Sequence, residues 1–324
     1  MQNKKVTKPA RQALIVLGMH RSGTSALSGV LAKLGARPPA TLMPSTPDNP
    51  RGYWESSALM QFHDDVLESA GTRWSDWDRF NDEWMESPVA RPFMDRLASL
   101  LEQEFGDAAL FLVKDPRMCR LLPLWLKVLG EEGIAPKVVI PIRHPFEVFG
   151  SLAARDGITR MRAQLIWLRH NLEAESGSRD LVRCFVRYSD LLADWRGVAS
   201  GISKALDLKW PNRSSATEAE IEAYLSSSLR HHVAPGETPA GSSPIDTWVA
   251  TVYQALEMIM NGGDGAEARR NLDQVRQEFD HTSAIYAPVL HETRSSLEHR
   301  IGEFEQKLAD TSQTLGNQSE RHEL

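Results

Sequence analysis

The chain has 324 residues, with 37 lysines and arginines against 43 aspartates and glutamates, so its formal net charge is −6. This acidic balance argues against general nucleic-acid binding but allows a local basic site for an anionic ligand. Its two cysteines are too few for a disulfide framework, and no apolar run reaches the roughly 18 residues that a membrane span needs. We therefore expect a cytoplasmic protein with no transmembrane segment and no nucleic-acid partner.

A phosphate-binding loop is predicted near the N-terminus, between the first strand and the first helix. Residues 13–17 are apolar and predict a buried strand, and a helix is predicted from residue 25 to a glycine at position 35. N–H groups at the start of a helix have no partner within the helix, and together with the helix dipole they attract an anion. Gly23 allows a close approach of the backbone, and Arg21 supplies a positive charge. Hydroxyl groups come from Ser22, Thr24 and Ser25.

This loop differs from the P-loop of nucleoside triphosphatases. That motif, GxxxxGK[ST], has a lysine directly after its second glycine. Gly18 and Gly23 have the required separation, but Thr24 occupies the lysine position. The loop is therefore predicted to bind phosphate without the ATPase lysine.

The region after the first helix contains an aromatic segment, residues 74–88, that has two interpretations. A proline-rich loop over residues 37–52 leads to a helix predicted to begin near Ser56. Residues 74–88 then combine four aromatic side chains with several acidic ones. This composition predicts either a surface on which a sugar stacks or a loop whose aromatic side chains join the core.

Two further predicted strands end in basic residues. Residues 110–113 lead into Lys114, and residues 137–142 lead into Arg143. In open parallel sheets ligands bind at the carboxyl ends of the strands, so both side chains are expected near the phosphate loop. With a fourth strand over residues 181–188, the order of elements predicts a three-layer, P-loop-like α/β fold around a central parallel sheet.

These motifs resemble those of the sulfotransferases that use 3′-phosphoadenosine-5′-phosphosulfate (PAPS), in particular the bacterial and carbohydrate-modifying branch. In that family a basic residue followed by Ser-Gly-Thr binds the 5′-phosphosulfate, which residues 21–24 match. An arginine that closes a strand and a serine eight residues later hold the 3′-phosphate, and Arg143 and Ser151 have this spacing. The resemblance covers about residues 13–208. It implies PAPS as co-substrate, bound by Arg21, Ser22, Gly23, Thr24, Ser25, Arg143 and Ser151.

The resemblance also implies the catalytic groups. In the family a lysine at the end of the second strand contacts the bridge to the sulfuryl group, and Lys114 matches it. Cytosolic members have a catalytic histidine two residues later, where this chain has Pro116. The predicted general base is therefore Glu55, which otherwise would complement the dipole of the following helix, and Asp115 and His63 are the alternative bases. No metal site is predicted. The predicted catalytic residues are Glu55, Lys114 and Arg21.

The C-terminal part is predicted to be helical and separate. Three glycines between residues 262 and 265 predict a hinge, so we expect an α/β domain over residues 1–262 and a helical extension over residues 263–324. Apolar residues recur there at steps of three, four and seven, as in a short coiled coil. The stripe predicts either a homo-oligomer or a helix that folds back on the domain. Its members are Leu290, Leu297, Ile301, Phe304 and Leu308.

The predicted function is the transfer of a sulfuryl group from PAPS to a hydroxyl acceptor, a carbohydrate such as a glycan or glycolipid rather than a small phenol. Two alternatives belong to other classes. A P-loop nucleotide or small-molecule kinase would use Asp115 to hold magnesium, and magnesium-dependent ATP turnover would favour it. An assembly protein without enzymatic activity would be built on the coiled coil, and failure to bind any nucleotide would favour it.

Overall fold

A central sheet of four parallel strands organises the fold. The computed structural model describes residues 11–47, 49–225, 243–263 and 265–322, with side chains up to residue 313. The strands lie in the order β2-β1-β3-β4, and most of their apolar side chains are buried, as is usual for a parallel sheet covered by helices. The predicted α/β fold with a central parallel sheet is therefore confirmed. The strands are β1 (Gln12–Val16), β2 (Leu110–Lys114), β3 (Ala135–Ile142) and β4 (Arg183–Arg187).

The register of the strands brings the loops that follow them to one edge of the sheet. Val16 at the end of β1 lies opposite Lys114 of β2 and Val139 of β3. From β1 the chain passes to β2 on one side and then to β3 on the other, so the direction of strand addition reverses at β1. Ligands of open α/β sheets bind in the crevice that such a reversal creates.

Helices connect the strands and begin where the sequence supplies capping residues. Ser56 Oγ accepts a hydrogen bond from the N–H of Leu59 at 2.9 Å, and Thr159 and Asp194 cap later helices in the same way. A short 3-10 helix covers Asp82–Glu86. The α-helices of the described residues are α1 (Thr24–Lys33), α2 (Ser57–Ser69), α3 (Ala90–Phe105), α4 (Met118–Glu131), α5 (Pro145–Asp156), α6 (Arg160–Gly177), α7 (Tyr188–Ala193), α8 (Trp195–Leu206), α9 (Ser215–Tyr224), α10 (Pro244–Met260) and α11 (Gly265–His322).

Two groups of helices enclose the sheet. The first contains α1, α7, α8 and α9, which form one apolar cluster with β1 and β3, and Leu27 and Leu31 are buried in it. The second contains α4, α5, α6 and α10, in which α6 packs against the other three. Trp125 of α4 and Trp167 of α6 are among its buried side chains. This packing leaves the carboxyl edge of the sheet to the loops.

The C-terminal part is one long helix, which confirms the predicted helical extension. Helix α11 runs from Gly265 to His322 through Pro288. The chain divides into two compact units, residues 1–276 and residues 277–324. The domain boundary after residue 262 stays a prediction. No helix within the described ranges combines the length and apolar character that crossing a bilayer requires.

Candidate active site

A cavity of about 690 Å³ lies at the carboxyl edge of the sheet. Its walls come from the β1–α1 loop, the ends of β2 and β3, α5, and the segment before α2. Ser22 is buried inside the loop, with 2% of its surface exposed. The other predicted site residues all line the cavity: Arg21, Gly23, Thr24, Ser25, Glu55, Lys114, Arg143 and Ser151.

The β1–α1 loop turns tightly because two of its residues have left-handed backbone conformations. Arg21 has a φ of 67° and Gly23 a φ of 88°. A Cβ at position 23 would lie 2.2 Å from the ring of Tyr188, so a side chain does not fit there. Thr24 and Ser25, in the first turn of α1, line the cavity. The positive end of the α1 dipole is therefore directed at the cavity.

Arg143 and Ser151 are in contact with the phosphate loop. Arg143 Nη1 donates to the carbonyl oxygen of Arg21 at 3.1 Å, and Arg21 Nε donates to Ser151 Oγ at 2.6 Å. Glu147 accepts a hydrogen bond from Arg143 Nε at 2.8 Å, and the guanidinium of Arg143 lies 4.8 Å from the ring centroid of Tyr188. The two anion positions that the sequence predicts separately are therefore neighbours.

Lys114 connects the phosphate loop to Glu55. Its Nζ donates to Ser25 Oγ at 3.2 Å, to the carbonyl oxygen of Tyr53 at 3.0 Å, and to Glu55 Oε1 in an ion pair. Lys114 and Glu55 are only 4% and 5% exposed. Burying an ion pair costs desolvation energy, and the attraction between the charges does not always repay it. We therefore expect this buried pair, which lies beside a cavity, to have a function.

The environment of Glu55 makes its carboxylate a better proton acceptor. Burial raises the pKa of Glu55 above its ordinary value, although the charge of Lys114 opposes the increase. A base is most effective when its pKa lies near the working pH. The N-cap of α2 is Ser56, so Glu55 lies outside the helix, beside the cavity.

A model described as the sulfotransferase family matches residues 13–212, which is more than half of the chain. The chain belongs to the sulfotransferase family. It is therefore a transferase enzyme, and the match favours this class over the kinase and the assembly protein. A search of curated proteins gives no match.

Solved structures that resemble this sulfotransferase are distant from it in sequence. The sulfotransferase domain of the olefin synthase from Synechococcus PCC 7002 is 20% identical, with 78% of this chain and 98% of that chain covered and a TM-score of 0.44. The sulfotransferase STF1 from Mycobacterium tuberculosis H37Rv is 16% identical, with 67% and 72% covered and a TM-score of 0.41. The sulfotransferase domain from the curacin biosynthetic pathway is 15% identical, with 76% and 98% covered and a TM-score of 0.41.

The two alternative bases of this sulfotransferase, Asp115 and His63, are not among the described residues that line the cavity. His63 Nδ1 and Asp115 Oδ2 are 2.9 Å apart, and Trp125 Nε1 donates to His63 Nε2 at 2.9 Å. The His63 proton therefore belongs on Nδ1, which donates it to Asp115. Both nitrogens of His63 are engaged, which disfavours His63 as the base.

Asp115 is a weak base for electrostatic reasons. Burial works against its charged form, but the charge of Arg117 and the contact with His63 dominate and lower the pKa of Asp115 below its ordinary value. Asp115 Oδ1 also accepts hydrogen bonds from the backbone N–H of Arg117 at 2.8 Å and from its Nη1 at 3.2 Å. These contacts give Asp115 a structural role at the start of α4.

The aromatic segment over residues 74–88 divides between the cavity and the core. Trp74 lines the cavity, and its ring centroid lies 4.4 Å from that of His20. Trp84 is 5% exposed, and its Nε1 donates to Ser69 Oγ at 3.0 Å. Its ring also packs 5.6 Å from that of Phe93, centroid to centroid. The core interpretation therefore describes Trp84, whereas stacking of a sugar on Trp74 stays a prediction.

Other cavity residues were not predicted from the sequence. Arg155 pairs with Asp156 through two hydrogen bonds of 2.7 Å, and burial followed by nearby arginine charges lowers the pKa of His20 well below its ordinary value. Tyr188 and Tyr224 also line the cavity. His20 adjoins the loop motif, so its position next to Arg21 was an available signal. Tyr224 is distant in sequence from every motif, so no sequence signal pointed to it.

Proposed function

We propose that this sulfotransferase transfers the sulfuryl group of PAPS to a hydroxyl group of a carbohydrate, such as a glycan or glycolipid. The observation that carries the proposal is the position of Lys114. Its ammonium contacts Ser25 in the phosphate loop and the carboxylate of Glu55. A phosphosulfate bound at the loop and a hydroxyl group bound at Glu55 would therefore meet beside Lys114.

The proposed donor suits the two anion positions of the cavity. Arg21, the loop hydroxyls and the first turn of α1 are assigned to the 5′-phosphosulfate. Arg143 and Ser151 are assigned to the 3′-phosphate. Both groups of PAPS are attached to one ribose, so the residues that hold them must be neighbours. The hydrogen bonds from Arg143 to the Arg21 carbonyl and from Arg21 to Ser151 support this assignment.

In the proposed reaction the acceptor oxygen attacks sulfur while Glu55 takes the hydroxyl proton. The new O–S bond replaces the bond from sulfur to the bridging oxygen, whose electron pair stays on the 5′-phosphate. Lys114 and Arg21 are placed to stabilise the charge that develops on this oxygen, without a metal ion. The products are a sulfate ester, 3′-phosphoadenosine 5′-phosphate and protonated Glu55, which then releases its proton to water.

The carbohydrate acceptor is supported by the composition of the cavity wall. Trp74 offers an aromatic face, which packs well on the C–H face of a sugar ring. The paired Arg155 and Asp156 provide donors and acceptors for hydroxyl groups. A small phenol has one hydroxyl group and would use fewer of these donors and acceptors.

A transfer assay tests the proposal. PAPS labelled with ³⁵S is incubated with the enzyme and a mixture of oligosaccharides or glycolipids, with phenols in a parallel sample. We expect a labelled sugar together with 3′-phosphoadenosine 5′-phosphate, and a large loss of label with Lys114→Met. Labelled phenols without labelled sugars would overturn the acceptor class. Phosphate transfer from ATP with no sulfur transfer would overturn the reaction.

We also propose that residues 263–324 extend the α/β domain of residues 1–262 and pair with a second copy of the chain. In heptad positions, Leu290, Leu297 and Phe304 are d residues, whereas Ile301 and Leu308 are a residues, and all are 45–69% exposed. In a parallel pair Arg300 at g would face Glu305 at e of the other copy, which favours that orientation. The cytoplasmic location stays a prediction.

A further inference from the structure

Tyr224, at the end of α9, lies between the phosphate loop and the segment that carries Glu55. Its hydroxyl donates to the carbonyl oxygen of Ser25 at 2.9 Å and accepts from Trp54 Nε1 at 2.9 Å. Burial raises the pKa of Tyr224 to about 12, so the phenol stays protonated at neutral pH. One hydroxyl group therefore joins the start of α1 to the residue directly before Glu55.

The position of Tyr224 against α1 depends on Gly29. A Cβ at position 29 would lie 2.3 Å from the phenol oxygen of Tyr224. Glycine inside a helix is unfavourable relative to alanine, so a reason for it is expected. The close approach of the phenol supplies that reason and places the hydroxyl within reach of the Ser25 carbonyl.

Trp54 has a backbone conformation that needs support. Its φ of 61° is in the left-handed region, which residues with a side chain rarely adopt. The residues on either side of it, Tyr53 through its carbonyl oxygen and Glu55 through its carboxylate, accept hydrogen bonds from the same Lys114 Nζ. Such strain persists where surrounding contacts hold it, and the bond from the indole to Tyr224 is one of these contacts.

We propose that Tyr224 is a positioning residue that acts through Trp54. Its hydroxyl keeps Trp54 in the left-handed conformation, which holds Glu55 against Lys114 in the cavity. Tyr224 lies beyond residues 13–212, the segment that matches the family model. The catalytic consequence rests on the proposed function, in which Glu55 is the base, but the dependence of the Glu55 environment on Tyr224 does not.

The test measures the pKa of Glu55 by NMR in protein labelled with ¹³C at the glutamate carboxyl carbons. The Glu55 signal is the one that disappears in Glu55→Gln. Tyr224→Phe removes the hydroxyl and keeps the ring, and Trp54→Phe removes the indole N–H. In each variant we expect the raised pKa to fall toward the ordinary value, because a released Glu55 gains contact with water. The double variant should shift no further than either single one.

A matched control comes from the same helix. Glu222 of α9 forms an exposed ion pair with Arg196 of α8 at 2.7 Å. Glu222→Gln should leave the pKa of Glu55 unchanged. If Tyr224→Phe does not fold, Trp54→Phe tests the same bond from its other end.

The outcomes separate this inference from the proposed function. An unchanged Glu55 pKa in Tyr224→Phe, or a double variant whose shift is the sum of the single shifts, would overturn the inference. We also expect turnover to fall about tenfold in Tyr224→Phe, since small displacements of catalytic groups are costly. If the pKa shifts but Glu55→Gln retains turnover, the positioning role holds and the base assignment fails.

Discussion

The phosphate side of the cavity and the side that carries Glu55 are built in different ways. On the phosphate side, the loop residues lie within eight positions of each other, and Arg143 and Ser151 are eight residues apart on a strand end and the helix that follows. On the other side, Glu55, Lys114 and Tyr224 come from distant parts of the chain. Lys114 bonds to Glu55, and Tyr224 bonds to Trp54, the residue before Glu55.

This difference shows which parts of a site depend on local geometry and which depend on long-range contacts. A strand end, a glycine with a left-handed backbone and a helix N-terminus form an anion site with little help from elsewhere. A buried carboxylate must instead be held by neighbours, because desolvation disfavours its charged form. We therefore expect substitutions on the phosphate side to weaken donor binding, and substitutions on the Glu55 side to alter proton transfer.

The largest expected effect is that of Glu55→Gln, which keeps the shape of the side chain and removes the base. Turnover should fall by about 10²–10⁴-fold, with donor affinity and melting temperature nearly unchanged. The measurement is initial rates with saturating PAPS. Glu68→Gln, at an exposed position of α2, is the matched control and should retain the wild-type rate. Near-normal turnover of Glu55→Gln would remove Glu55 from the mechanism.

Asp115→Asn should act mainly on stability. It breaks the buried contacts of Asp115 with Arg117 and His63, and losing one partner of a buried ion pair typically costs about 3–5 kcal/mol of unfolding free energy. Urea denaturation measures this loss. Because the folded-state pKa of Asp115 is lowered, its stabilisation is present above the ordinary pKa and is lost as the pH falls. A stable variant with greatly reduced turnover would instead identify Asp115 as the base.

The pH dependence should report Glu55. Turnover should rise with pH and level off above the raised pKa of Glu55, and this limb should vanish in Glu55→Gln. Stability has the opposite dependence. The folded state binds the Glu55 proton more tightly than the unfolded state, so this stabilisation is present below the ordinary pKa and is lost as the pH rises through the raised one. A pH series of urea denaturation for both proteins measures it.

Truncation of the tail should change assembly and leave the cavity intact. Removal of residues 291–324 deletes most of the exposed stripe of α11, so the mass in solution should fall from that of an oligomer to that of a monomer. Light scattering measures the mass, and calorimetry should give an unchanged donor affinity. An unchanged mass would show that the stripe does not join copies of the chain.

Metal removal should have the smallest effect. Arg21, Lys114 and the first turn of α1 are proposed to supply the charge stabilisation, so EDTA should leave the transfer rate nearly unchanged. A rate that EDTA abolishes and magnesium restores would favour the kinase mechanism, in which a metal ion bridges the phosphates.

The fold and the grouping of the phosphate-side residues could be predicted because their signals are local, whereas phosphate binding by these residues stays a prediction. Short stretches show an apolar strand that ends at Lys114, another that ends just before Arg143, and a glycine at a left-handed turn. The family resemblance indicated Glu55 and Lys114 as catalytic residues but did not predict the ion pair between them. The link through Tyr224 could not be predicted, because Trp54 and Tyr224 are 170 residues apart and meet only in the folded chain.

The hydrogen bonds among His63, Asp115 and Trp125 could not be predicted from the sequence either. Asp115 and His63 are candidate bases by residue type, because carboxylates and imidazoles are common general bases. Their mutual hydrogen bond and the donor from Trp125 appear only when β2, α2 and α4 are packed together. Position, rather than residue type, separates them from Glu55, because Glu55 is among the described residues that line the cavity and they are not.

The most direct test of the proposed donor is calorimetric, because it needs no acceptor. We predict that 3′-phosphoadenosine 5′-phosphate binds far more tightly than adenosine 5′-monophosphate. Arg143→Ala should remove about 2–4 kcal/mol of that difference, as expected for a partly buried charge-assisted contact. Arg196→Ala, which removes an exposed arginine paired with Glu218 at 2.8 Å, should leave it unchanged. Equal affinity of the wild-type protein for the two nucleotides would contradict PAPS as the donor.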